Sequence, residues 1–107
     1  MIDITSLRAL RGQRFFAAWD GSVAPDRVAD SEESIRRLID ALIELGPTAD
    51  EIPVRRAVHD CVERFNSMDQ GWICSLERED ICDVLGRVVE CCGLSASADW
   101  IAENREW

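Results

Sequence analysis

The chain has 107 residues, of which 47% are hydrophobic and 31% charged, and it carries a net charge of −9. That leaves room for one core and no second domain, with enough apolar material to fold rather than persist as an acidic coil. The sign of the charge opposes nucleic-acid binding, which draws on Lys and Arg neutralising phosphates. No apolar run approaches the ~20 residues that span a bilayer, and residues 1–14 are charged and interrupted rather than leader-like. The expectation is a cytoplasmic protein that neither crosses nor anchors in a membrane.

In chain order, Ile4, Leu7, Leu10, Phe15, Phe16, Ala18 and Trp19 make an apolar face with Arg8, Arg11 and Arg14 between them, which predicts a first helix over residues 4–19. Asp20-Gly21-Ser22 breaks it, and residues 23–29, with Pro25, read as a loop. Asp30 is the predicted cap of a second helix, with Glu33 three residues on and a stripe of Ile35, Leu38, Ile39, Leu42 and Ile43. Gly46-Pro47 stops it. Thr48 and Glu51 form the next capping pattern, and Val54, Ala57, Val58, Cys61, Val62, Phe65 and Met68 make a third helix ending near Gln70-Gly71. Trp72-Ile73-Cys74-Ser75 is too short for a sheet and reads as a tight, partly buried connector. Ser75 is the predicted cap of a fourth helix with the stripe Ile81, Val84, Leu85, Val88, Val89 and Cys92, closed by Gly93. Residues 97–107 read as a short fifth helix docking Trp100 and Ile101. Four amphipathic helices with short connections pack most simply as an all-α, compact antiparallel bundle.

An odd count of five cysteines inside helical stripes predicts reduced thiols that pack mostly as small core residues. Cys61, Cys74, Cys82, Cys91 and Cys92 contain no pair with zinc-ligand spacing, so no metal site is expected. His59 and Cys61 lie about 200° apart around a helix and form no local dyad, so no catalytic residue is assigned. A di-iron bundle requires Glu-x-x-His pairs, which are missing. Glu77-x-x-Asp80 resembles the acidic pairs with which helical nucleotide pyrophosphatases hold magnesium. Those enzymes also carry a preceding Glu-Glu-x-x-Glu helix, whereas here Glu32-Glu33 is followed by Arg36 and Arg37, which repel a metal. No cofactor is expected.

The densest constellation runs from Phe65 through Asn66, Met68, Asp69, Trp72 and Ile73 to Glu77-Arg78-Glu79-Asp80-Ile81-Cys82-Asp83. One reading is structural: acids in a first helical turn suit the helix dipole, and the aromatic and aliphatic side chains fill the core. The functional reading notes that Glu79 and Asp83, four apart on one face, repel each other slightly in an isolated helix, so the face has another use. Asp69, Trp72, Glu77, Glu79, Asp80 and Asp83 are therefore the candidate partner-binding residues, with Trp72 as anchor and the carboxylates steering a basic protein partner.

Residues 65–82, about a sixth of the chain, resemble a group of small uncharacterised bacterial proteins with the pattern F-N-x-[LM]-D, then [FW]-I, then E-R-E-x-[IL]-C. The resemblance implies membership without a mechanism. In size, acidity and helical content the chain also looks like bacterial toxin-immunity proteins, which cover basic toxins. The leading expectation is an acidic protein–protein interaction module of immunity or inhibitor type. Two alternatives are a small enzyme, either a magnesium-dependent hydrolase or a thiol redox protein, and a homodimeric structural module.

Overall fold

In the computed structural model, which describes residues 1–94 and 105–107, the amphipathic segments form four helices: α1 (Ile4–Arg11), α2 (Pro25–Leu45), α3 (Glu51–Met68) and α4 (Ser75–Cys91). The fold is an all-α bundle, and no strand occurs among the described residues. Periodicity decides which faces meet. Ile35, Leu38, Ile39 and Leu42 of α2 pack with Val54, Val58, Cys61, Val62 and Phe65 of α3 and with Ile81, Val84, Leu85, Val88 and Val89 of α4, all buried in one cluster. Each such aliphatic side chain contributes roughly 1.5–3 kcal/mol when withdrawn from water.

The α2–α3 hairpin turns at Gly46-Pro47, and α1 lies against α2 and α4. The first residues tie the bottom of the bundle together: the Ile2 N–H donates to the Pro47 carbonyl at 3.0 Å and the Asp3 N–H to the Cys91 carbonyl at 2.7 Å. At Gly93, φ is +74° and a Cβ would stand 3.0 Å from the Met1 backbone, so this position requires glycine twice over.

Several helix ends differ from the sequence expectation. The first helix stops at Arg11 instead of reaching Trp19, and only a 3₁₀ turn, Ala17–Trp19, follows. Phe15 and Phe16 are not helical because their N–H groups donate to a carboxylate of α2. The second helix begins at Pro25, where a fixed φ and a missing N–H cost nothing, so residues 25–29 are helix and Asp30 is an interior position rather than a cap. α3 is preceded by Asp50, not capped by Thr48, and α4 by Cys74, with Ser75 its first residue. The expected connector 72–75 shortens to 72–74 because Ser75 is already helical, and it is partly buried, with Ile73 buried and Trp72 half-buried. The expected docking of Trp100 and Ile101 lies outside the described residues.

Cys61 and Cys92 are buried as the stripes require, Cys82 and Cys91 are half-buried, and Cys74 is exposed. All five are free thiols. Burial pushes the Cys61 thiol up to about 12 despite the nearby Arg64. Burial, with Cys91 beside it, takes Cys92 up to about 11.

Candidate functional site

The α3–α4 junction is built by its own short-range hydrogen bonds. As α3 ends, the Asp69 carboxylate accepts the N–H groups of Gly71 at 3.0 Å and Ile73 at 3.3 Å, folding the chain back over Gly71, whose φ is +89°. The Trp72 indole N–H donates to the Met68 carbonyl at 2.9 Å. Glu77 accepts the Cys74 N–H at 3.1 Å while the Cys74 side chain receives an N–H of the first turn, a capping box with sulfur in place of a hydroxyl.

The six predicted residues separate by direction. Asp69 and Glu77 are consumed by the turn and the cap. Asp80 is exposed but engaged, accepting the Trp19 indole N–H at 2.8 Å. Trp72 is half-buried, edge-to-face with Trp19 at 5.9 Å, and the Arg27 guanidinium lies 5.6 Å over its ring. It is part of the wall rather than a protruding anchor. Of the five carboxylates, Glu79 and Asp83 are the exposed ones that accept no hydrogen bond of the junction among the described residues. Glu79 has no hydrogen bond or ion pair among the described residues, and Asp83 meets Arg87 at 3.9 Å with its side chain 76% exposed.

An aromatic chain backs this junction. Trp72 contacts Trp19, Trp19 stacks on Phe16 at 4.2 Å, Phe16 meets Phe65 at 6.5 Å, and Phe65 meets Trp107 at 5.9 Å. Trp107 is 6% exposed, so the last residues of the chain lie in the bundle. The Arg78 side chain donates to the Trp107 carbonyl at 3.2 Å, Asn66 accepts the Glu106 N–H at 3.0 Å, and Arg105 approaches Cys82 Sγ at 3.1 Å. Phe65, Asn66, Arg78 and Cys82 are all positions of the F-N … E-R-E-x-[IL]-C pattern, but none of them is among the six candidate residues. Hydrogen bonding to a segment some thirty residues away has no local signature.

A second polar centre also escaped the sequence. Glu32, 3% exposed on α2, accepts the N–H of Phe15 at 2.8 Å and that of Phe16 at 3.3 Å and pairs with Arg14 at 2.9 Å, while Arg14 also reaches Asp20 at 3.1 Å. Beside it lies a groove of about 490 Å³ lined by Arg14, Asp20, Val28, Glu32 and Arg36 among others. Its carboxylates are held by Arg14 and by backbone N–H groups, which suits scaffolding. Among the described residues no group of three His, Cys, Asp or Glu side chains is placed to hold a metal ion, and no helix is long and apolar enough to cross a membrane. Comparison with known protein families, with curated proteins and with solved structures finds no match.

Proposed function

We propose that this chain is an acidic interaction protein, of immunity or inhibitor type, that binds a basic protein. The supporting observation is the pair Glu79 and Asp83: one turn apart on the outer face of α4, they are the two carboxylates of the junction that hold no part of the fold. Like charges left side by side in solvent weaken the helix slightly and raise the local negative potential, an arrangement that speeds encounter with a cationic surface. The net charge of −9 acts in the same direction. The resemblance of residues 65–82 to small bacterial proteins, and the proposed cytoplasmic location, fit this reading.

The test begins with affinity capture from the native organism and mass spectrometry, followed by stopped-flow association with the purified partner. Glu79→Ala/Asp83→Ala should slow association at low salt and flatten its dependence on ionic strength while leaving the helical spectrum intact. Unchanged association at low salt would reduce this face to a solvated helix start.

A further inference from the structure

The contacts made by residues 105–107 describe a receptor as well as a strap. Two of them fall on backbone: Asn66 takes the Glu106 N–H and Arg78 gives to the Trp107 carbonyl. Side chains that bind backbone groups accept any extended segment, while the pockets beside them select sequence. Here one pocket holds a ring against Phe65, and the other holds a guanidinium on Cys82 Sγ, with Arg105 itself 5.2 Å over the Trp107 ring. By helical spacing Glu79, Cys82 and Asp83 share one flank of α4, so the cation pocket is bordered by the two exposed carboxylates.

The chain's own segment also fits imperfectly. Trp107 is nine-tenths buried, yet its indole N–H has no hydrogen-bond acceptor among the described residues. A buried donor left unmade is costly, and a ring without one would avoid that cost. The geometry points to a peptide-docking slot formed by Phe65, Asn66, Arg78 and Cys82, which residues 105–107 occupy in cis and which takes an extended basic-x-aromatic segment of the partner. This assignment rests on the acidic-binder reading and locates its surface: the slot supplies the anchor that Trp72 does not, and Glu79 and Asp83 attract the basic residues around it.

A tethered occupant competes at an effective concentration of about a millimolar, so vacating the slot should reveal its affinity. The probe is a fluorophore-labelled Arg-Glu-Phe-amide peptide read by fluorescence anisotropy on the full-length chain. Trp107→Ala should bind it about tenfold or more tightly than the parent, and adding Arg78→Ala should remove about tenfold again. An Arg-Glu-Trp-amide peptide should bind more weakly than the Phe form. Equal affinity of parent and Trp107→Ala would overturn the slot. Should Trp107→Ala fail to fold, the parent decides: millimolar unlabelled peptide should shift the Trp107 indole resonance in a nitrogen-15 NMR spectrum, and an unmoved resonance overturns the proposal. A parent that is dimeric and dissociates on adding peptide would assign the slot to a second copy and overturn the assignment to a basic partner. Failure of the acidic reading is separate, because it appears as unchanged salt dependence in Glu79→Ala/Asp83→Ala, whereas failure of the slot appears in the Trp107 readouts.

Discussion

Two connections in this bundle are held by carboxylates, and they are built on opposite principles. Between α3 and α4, Asp69 and Glu77 accept N–H groups two to four residues away, so the turn is closed by its own sequence. Between α1 and α2, Phe15 and Phe16 are held by Glu32, which reaches back from the middle of the next helix. The first arrangement survives as a local motif, whereas the second exists only once α2 is docked. A buried acceptor serving two N–H groups and a guanidinium is also more strongly coupled to folding than a solvent-exposed cap.

The contrast is broken most severely at Glu32. Glu32→Ala should lower stability by about 3 kcal/mol, because it leaves Arg14 without its buried partner and the Phe15 and Phe16 N–H groups without an acceptor. Urea unfolding measures this, and a loss below about 1 kcal/mol would mean that water replaces the carboxylate and the two connections are equivalent. The core behind both connections should fail in alkali. Cys61 rises from an ordinary 9.0 to about 12 on folding, so the protonated thiol is favoured in the native state. Its contribution is complete below pH 9 and is lost as pH climbs toward 12. Stability curves from pH 8 to 11 should fall more steeply for the parent than for Cys61→Ala. At the α3–α4 cap, Glu77→Ala should cost about 1 kcal/mol, a thermal shift of several degrees, since it removes one exposed capping interaction. The smallest effect is expected on the outer face of α4: Glu79→Ala and Asp83→Ala should each stay within about 0.5 kcal/mol of the parent. A larger loss at either would give these two residues a structural duty like that of Glu77.

The helix faces were legible in the sequence because burial follows a 3.6-residue period, and the stripes from Ile35 to Leu42, Val54 to Phe65 and Ile81 to Val89 are the core seen in the fold. Helix ends were less so. Phe15, Phe16 and Trp19 continue an apolar face on paper, but their backbone answers to Glu32, and Pro25 marks a helix start that the charged residues after it disguise as loop. The candidate residues are neighbours in the sequence, and the fold employs them differently. By charge alone the acids form one surface, whereas Asp69, Glu77 and Asp80 accept N–H groups of the backbone or of the Trp19 indole and Glu79 and Asp83 accept none among the described residues. The sequence by itself determined the all-α class, the core stripes and the reach of negative charge, since these depend on composition and local period. Tertiary structure alone decided which carboxylates are engaged by distant groups and that Phe65, Asn66, Arg78 and Cys82 converge on residues 105–107, because hydrogen bonds and ring contacts between distant segments exist only after the helices have packed.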